Sequence, residues 1–293
     1  MDLGIAGRRA IVCASSQGLG LASAEALVAE GVHVVINGRD ATKLDAVASA
    51  MRSVGAAGAT VTAVAADITT TDGRAALLAA CAEPDILITN NVGPKPGSID
   101  EVTDDDLARA LELHYWAPIS LVRAVLPGMR TRGFGRIVNI TSAMVTTPRA
   151  VMVASAGARA GLTAVMKAVA GEVAAHNVTI NNILPERIDS PRQLQVAEVE
   201  MERHGIAFDE ARRRQAASIA ARRLGRPSEL GATCAFLCSV QASYISGTNV
   251  HLDGGSYPGL VERPSFPSGG HDDRSRRWHQ ERPRRCRVDP VGQ

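Results

Sequence analysis

The sequence is poor in tyrosine, lysine and aromatic residues. Its 293 residues include 29 Arg but only three Tyr (Tyr115, Tyr244, Tyr257) and three Lys (Lys43, Lys95, Lys167). Aromatic residues make up 3% of the chain, so its core must be built mainly from Ala, Val, Leu and Ile. Any chemistry that needs a tyrosine hydroxyl or a lysine amine therefore depends on one of six positions.

Other absences exclude whole classes of protein. No apolar run approaches the roughly 18–20 residues that cross a bilayer, and residues 1–9 lack the apolar centre of a signal peptide. We therefore expect a cytoplasmic protein with no membrane partner. A net charge of +2 does not fit a polybasic binder of nucleic acid. The five Cys are scattered, which predicts buried thiols with neither a disulfide framework nor a metal site.

Short apolar runs alternate with longer Ala- and Leu-rich stretches along most of the chain. The runs that we interpret as strands are 10–14, 32–37, 61–66, 85–89, 137–141, 178–184 and 249–252. Continuous apolar strands between helices predict an α/β fold, with a parallel sheet covered by helices on both faces. We expect one such domain over residues 1–261. Residues 262–293 are rich in Arg, Pro and Gly, and we expect a disordered tail there.

The first strand leads into a glycine-containing loop and then into a helix. The loop reads Ala14-Ser15-Ser16-Gln17-Gly18-Leu19-Gly20. Glycines let backbone amides approach an anion, and the helix N-terminus adds partial positive charge. A strand before the loop and a helix after it therefore predict a site for a dinucleotide pyrophosphate.

The end of the second strand predicts which dinucleotide is bound. An acid at the tip of this strand would bind the adenosine ribose of NAD, but Gly38 stands there and Arg39 follows. A guanidinium suits the 2′-phosphate of NADP, so the sequence favours NADP(H). Asp40, about twenty residues past Gly20, is at a spacing where an acid can bind the ribose hydroxyls, and NAD(H) therefore remains the alternative. Asp67 and Ile68, after the third strand, are expected to face the adenine.

Together these motifs resemble the short-chain dehydrogenase/reductase family over about residues 4–258. The glycine loop resembles the family's Thr-Gly-x-x-x-Gly-x-Gly, with Cys13 and Ala14 in place of Thr and the first Gly. The fourth strand leading into Asn90, the fifth strand ending in Thr141-Ser142, and the closing segments at 226–229 and 244–255 also resemble the family.

The resemblance implies a single doubly wound domain of the Rossmann type, a nicotinamide cofactor and a homodimer or homotetramer. It also implies hydride transfer between the cofactor and a small-molecule carbonyl or alcohol. The residues assigned to the cofactor are Ala14, Ser15, Ser16, Gly18, Leu19, Gly20, Arg39, Asp67, Ile68, Asn90, Arg159 and Ile188.

The family's catalytic pattern is only partly retained. In the family a Tyr is the general acid/base, a Lys four residues later lowers its pKa, a Ser binds the substrate oxygen and an Asn anchors a water chain. Counting thirteen residues on from Ser142 places Ser155 at the Tyr position, and Arg159 at the Lys position. The Asn position falls on His114. Only Ser142 is retained, and Glu186 replaces a Gly near the expected nicotinamide.

We assign Ser142, Ser155, Arg159 and His114 to catalysis. Serine is too weak an acid to replace tyrosine, and arginine stays protonated but can stabilise an oxyanion. His114 is the one residue of the four with an unperturbed pKa near 6.5. One hypothesis is that it supplies the proton directly or through water and Ser155, and the alternative is that it only packs on its helix.

Three functions remain open at this point. The first is an NADP-dependent reductase of a ketone or 3-oxoacyl-type substrate with an altered proton relay. The second is a non-catalytic nucleotide-binding protein, acting as a sensor or as the inactive partner of an active relative. The third is a non-redox lyase, which the retained glycine loop and Arg39 disfavour.

Overall fold

A computed structural model describes residues 2–56 and 58–259, and seven parallel strands form one sheet within them. The strands are β1 (Arg9–Val12), β2 (His33–Gly38), β3 (Val61–Ala65), β4 (Ile86–Thr89), β5 (Gly135–Ile140), β6 (Val178–Pro185) and β7 (Asn249–Leu252). Their order across the sheet is β3-β2-β1-β4-β5-β6-β7. Each predicted strand is present, with bounds that differ by at most two residues at either end.

Nine α-helices connect the strands or follow them within the described residues. They are α1 (Gly18–Ala29), α2 (Ala41–Val54), α3 (Thr71–Ala80), α4 (Asp104–Leu111), α5 (Ala117–Arg132), α6 (Val153–Val173), α7 (Pro191–His204), α8 (Phe208–Ala217) and α9 (Pro227–Cys238). A π-helical turn, Glu112–Trp116, joins α4 to α5. No helix in the described part of the chain is long and apolar enough to cross a membrane.

The sheet is buried on both faces because alternate strand residues pack into two separate cores. In β1, Ala10 and Val12 belong to a core shared with α1, α2 and α9, whereas Ile11 packs with residues of α5 and α6. All residues of β4 and β5 are buried. The predicted α/β class with helices on both faces is therefore confirmed.

The strand order reverses between β1 and β4, which both lie at the centre of the sheet. The loops that leave these two strands diverge to opposite sides, so a crevice opens beyond their carboxyl ends. The glycine loop after β1 and the loop after β4 form its two walls. The predicted tail, residues 262–293, and the boundary at residue 261 lie outside the described residues.

Candidate active site

The crevice is the mouth of a cleft of about 640 Å³. Its walls come from the segments that follow β1 to β6, together with α7, which covers one side. The predicted site residues that line it are Ala14, Ser16, Gly18, Leu19, Arg39, Asp67, Ile68, Asn90, Ser142, Ser155, Arg159 and Ile188. The structure thus brings twelve of the fifteen predicted positions to one cleft.

Two residues of the glycine loop adopt left-handed backbone conformations. Ala14 has φ +47° and Gly18 has φ +60°. The Ala14 carbonyl accepts a hydrogen bond of 3.3 Å from Asn90 Nδ2, which joins the two walls of the crevice. A Cβ on Gly20 would lie 2.3 Å from the same carbonyl oxygen. Only glycine fits at position 20, in the first turn of α1, because any side chain there would collide with the backbone of Ala14.

Ser15 and Gly20 do not line the cleft, although the sequence assigned both to the cofactor. The Ser15 hydroxyl donates to the Val12 carbonyl at 2.7 Å and accepts from the Asn37 amide at 2.9 Å. Asn37 in turn donates to the carbonyls of Val64 and Ala66 at 3.1 and 3.0 Å. Ser15 therefore ties β1 to β2 and supports the loop from behind.

The outer end of the cleft has little room for an acid at position 38. A Cβ on Gly38 would lie 3.2 Å from the Cβ and Oγ of Ser16, so a longer side chain would displace Ser16. Arg39 is exposed beside this gap. Asp40 serves as the N-cap of α2, because its carboxylate accepts from the Lys43 amide at 3.0 Å. This end thus offers an exposed guanidinium and no carboxylate at the strand tip.

Asp67 follows β3, the strand that pairs with β2, and Arg39 follows β2. Burial raises the pKa of its carboxyl, but hydrogen bonds from Thr69 and the charges of Arg109 and Arg39 outweigh that effect and lower the pKa overall. The Thr69 amide and hydroxyl donate to Asp67 Oδ1 at 2.9 and 2.7 Å. Asp67 is therefore ionised at neutral pH and rigidly oriented at the rim.

A buried guanidinium occupies the inner end of the cleft. Arg159 Nε donates to Ser155 Oγ at 3.2 Å, and Nη1 donates to the carbonyls of Ile140 and Thr141 at 2.9 and 2.7 Å. Burial, with a smaller contribution from the charge of Arg192, lowers the pKa of Arg159 to about 10. Arg159 thus stays protonated at neutral pH. Its hydrogen bonds place Ser155 on the cleft wall together with the half-buried Ser142.

His114 lies behind Arg159 and does not line the main cleft. It sits in the π-helical turn, where its Nε2 is 3.5 Å from Arg159 Nη2, and it borders a small cavity of about 10 Å³. Burial and the charge of Arg159 lower the pKa of His114 well below 6.5. The imidazole is therefore neutral at neutral pH. Within the described residues no hydrogen bond joins His114 to Ser155, and Arg159 contacts both of them. The structure therefore contains no path for direct proton transfer from His114 to Ser155.

Glu186 is buried and ion-paired at the inner rim. Its Oε1 lies 3.2 Å from Arg149 Nη2 and 3.7 Å from Arg187 Nε. Arg187 also reaches Glu200 on α7 at 3.9 Å and has φ +47°, an uncommon conformation for a residue with a side chain. The cluster joins the loop after β5, the end of β6 and α7. The negative charge that the sequence placed near the nicotinamide is thus compensated by two arginines.

None of the three tyrosines and three lysines lines the cleft, and all six lie within the described residues. Tyr115 packs on Gly161 of α6, where a Cβ would lie 3.2 Å from its ring. The sequence missed Arg109, which pairs with Asp67 at 3.9 Å, and Arg192, whose Nη2 donates to the Pro94 carbonyl at 2.8 Å. Arg109 lies in α4 and Arg192 in α7, so neither belongs to the strand-end motifs from which the site residues were predicted.

The fold and the cleft define an α/β protein that binds a dinucleotide at the switch point of a parallel sheet. Comparison with known proteins narrows this class. A family model described as enoyl-(acyl carrier protein) reductase matches residues 13–257. The chain is 30% identical to the rabbit (Oryctolagus cuniculus) dehydrogenase/reductase SDR family member 4 over 257 residues, 86% of this chain and 94% of the relative. The chain belongs to the short-chain dehydrogenase/reductase family.

Two further relatives are NADPH-dependent or were solved with NADPH bound. The chain is 30% identical to the NADPH-dependent reductase BacG of Bacillus subtilis over 253 residues, 85% of this chain and 97% of BacG. The L-sorbose reductase of Gluconobacter frateurii, solved with NADPH and L-sorbose, superposes with a TM-score of 0.83 at 31% identity, covering 89% of this chain and 100% of the reductase. The predictions of an oxidoreductase and of an NADPH-type cofactor are thus confirmed at the level of the family.

Proposed function

We propose that the protein is an NADP(H)-dependent oxidoreductase that reduces a ketone or 3-oxoacyl-type carbonyl, or oxidises the corresponding alcohol, through an atypical site. One observation supports this proposal most strongly, namely that a single cleft contains both halves of the predicted site. The glycine loop and Arg39 line its outer end, and Ser142, Ser155 and Arg159 line its inner end. The net reaction converts carbonyl, NADPH and one proton into alcohol and NADP⁺.

The residues of the cleft fit NADP(H). The loop at Gly18 and Leu19 would hold the pyrophosphate, and the space above Gly38, beside Ser16 and Arg39, would hold the 2′-phosphate. Asp67 and Ile68 would face the adenine. Asn90, Arg159 and Ile188 would line the nicotinamide half. When bound there, NADPH supplies the hydride.

The chain's own groups then act on the substrate oxygen. Ser155 Oγ already accepts a hydrogen bond from Arg159 Nε, so its own hydrogen is free to be donated into the cleft. Ser142 supplies a second hydroxyl, and the buried Arg159 charge stabilises the negative oxygen that develops during reduction. Ser155 donates a hydrogen bond to the substrate oxygen and keeps its proton, and water that enters from the cleft mouth supplies the proton that the alkoxide takes up. His114, as a neutral acceptor beside Arg159 Nη2, would position that guanidinium.

The test is a pair of measurements on the purified chain. NADPH and NADH are titrated by fluorescence, and NADPH oxidation is then followed with a panel of ketones, aldehydes and 3-oxoacyl thioesters. Tight NADPH binding with turnover of at least one carbonyl supports the proposal. Failure to bind NADPH contradicts it.

A specific observation favours a second candidate, a nucleotide-binding protein without turnover that acts as a sensor or partner subunit. Neither titratable group beside Ser155 fits a proton donor at neutral pH, since the lowered pKa of His114 leaves its ring neutral and Arg159 stays charged. Tight NADPH binding with no turnover across the panel would favour this candidate.

The proposal includes a homodimer or homotetramer in the cytoplasm. Leu111 at the end of α4 and Trp116 at the end of the π-helical turn are 41% and 51% exposed, and packing against a second subunit would cover these apolar side chains. Size-exclusion chromatography with light scattering measures the oligomeric state directly.

A further inference from the structure

Two guanidinium groups in the inner half of the cleft have no acidic partner within residues 2–56 and 58–259. Arg159 contacts only neutral acceptors, namely the Ser155 hydroxyl, two carbonyls and the His114 ring. Arg192, near the start of α7, contacts the Pro94 carbonyl. Arg159 is buried and Arg192 is half-buried. Removing a charge from water without a counter-charge is costly, and a ligand that brings a negative charge to the cleft would offset this cost.

The remaining charges of this half of the cleft are already compensated. Glu186 pairs with Arg149 and Arg187, and Arg187 also pairs with Glu200. Arg203, further along α7 at the rim, pairs with Glu101 at 3.2 Å. No acid in these clusters reaches Arg159 or Arg192. Burial lowers the pKa of Arg192, and the charge of Arg192 contributes to the lowered pKa values of both Arg159 and His114. The two cations therefore lie close enough to repel each other.

The placement of Arg192 distinguishes the substrate from the cofactor pyrophosphate as the source of that negative charge. Ser190 and Pro191 face the glycine loop, because a Cβ on Gly18 would lie 3.8 and 3.7 Å from them. The Arg192 side chain turns away from that loop, and its Nε and Cζ lie 3.4 and 3.5 Å from the Cβ position of Gly93. Arg192 is thus on the wall formed by the loop after β4, the same wall that His114 supports from behind.

We propose that the substrate is a small oxo acid, with its carboxylate bound by Arg192 and its carbonyl oxygen facing Ser155 and Arg159. This inference rests on the proposed function and adds to it the chemical class of the substrate. A guanidinium can bind a carboxylate through two parallel hydrogen bonds, which fixes the orientation of the molecule as well as its position. The neutral ester of the same acid cannot form this pair.

The experiment compares 2-oxobutanoate and acetoacetate with their methyl esters in NADPH oxidation by the full chain. We expect kcat/KM to be at least about tenfold higher for one of the acids than for its ester, and Arg192→Gln to abolish this preference. The matched control is Arg203→Gln, which removes an arginine of the same helix that is already paired. This control should leave the acid-to-ester ratio within about twofold of the parent.

If no carbonyl is reduced, that result contradicts the proposed function but not the anion site. A second measurement then tests the anion site without turnover. Oxamate and its methyl ester are titrated into the protein–NADPH complex by calorimetry. Binding of oxamate but not of the ester, lost in Arg192→Gln with unchanged NADPH affinity, supports the inference. Equal binding of both compounds, or of neither, overturns it. Weakened NADPH binding in Arg192→Gln with an unchanged preference for oxamate also overturns it, since Arg192 would then bind the pyrophosphate.

Discussion

Replacing Arg39 with Gln tests the preference for NADPH over NADH, because Arg39 is the residue that we assign to the 2′-phosphate. Arg39 is exposed, follows the end of β2 and stands beside the gap above Gly38, where Ser16 leaves little room for an acid. Asp40, the nearest alternative for binding the ribose, is engaged as the N-cap of α2. We therefore expect Arg39 to bind the 2′-phosphate, which is present in NADPH and absent from NADH.

The size of the effect follows from the exposure of the contact. A hydrogen-bonded contact with a charged group contributes about 1.5–3 kcal/mol, and an exposed contact lies at the lower end of this range. About 1.5 kcal/mol corresponds to a dissociation constant roughly tenfold higher for NADPH. The affinity for NADH should change by less than about twofold, because NADH has no 2′-phosphate to lose.

Fluorescence titration of both cofactors against the parent chain and Arg39→Gln measures these changes. Arg52→Gln is the matched control, because Arg52 lies at the far end of α2 and donates to the Val61 carbonyl at 3.0 Å. It should leave both affinities unchanged. An Arg39→Gln variant that binds NADPH as tightly as the parent, or that loses NADH affinity equally, would refute the reasoning.

Three further predictions follow from the loop and the inner site. Gly20→Ala should abolish NADPH binding, because its Cβ would lie 2.3 Å from the Ala14 carbonyl oxygen; retained binding in the titration would contradict this geometry. Ala14→Gly should raise Tm by about 2 °C, since relief of a left-handed alanine, about 1–2 kcal/mol, exceeds the entropic cost of glycine, about 0.5–1 kcal/mol; an unchanged or lower Tm in scanning calorimetry speaks against strain at this residue. The pKa of His114 is lowered in the fold, so the unfolded chain binds the extra proton and stability is lost as pH falls below about 6.5, by up to about 1.4 kcal/mol per pH unit. His114→Asn should lose less stability than the parent between about pH 7.5 and pH 5.5 in urea unfolding, and equal losses would show that the buried imidazole does not remain neutral.

Much of the fold could be predicted because strands that are buried on both faces consist of continuous apolar residues. The seven apolar runs could be located from the sequence pattern alone. Thr103 and Asp106 form a capping box at the start of α4. Helices α3 and α5 each contain a residue that disfavours a helix, Gly73 in α3 and Pro127 in α5. In α3, Gly73 follows Thr71 and Asp72 and is typical of a turn, but the Thr70 hydroxyl caps the helix by accepting from the Gly73 amide at 3.0 Å. In α5, Pro127 lies inside the helix and interrupts the pattern.

The inner site could be located by counting, because one helix carries both of its residues. Ser155 and Arg159 are four residues apart on α6, a spacing that places them on one face of the helix, and the structure contains the contact between them. The neutral state of His114 could not be read from the sequence, since it depends on burial in the π-helical turn behind Arg159. Arg192 could not be found either, because packing of α7 against the loop after β4 determines where its side chain points.

The maximal rate of NADPH oxidation in Arg159→Met, relative to the parent and to Tyr115→Phe, tests the central claim most directly. The claim is that carbonyl reduction in this protein depends on the Ser155–Arg159 pair and on no tyrosine. At saturating NADPH and substrate, removal of the buried charge should lower kcat by about 10²- to 10³-fold, as loss of an oxyanion-stabilising group does in other enzymes. Tyr115→Phe, which keeps the ring packed on Gly161, should leave kcat unchanged. An Arg159→Met variant with parental kcat, or a Tyr115→Phe variant without activity, would contradict the account.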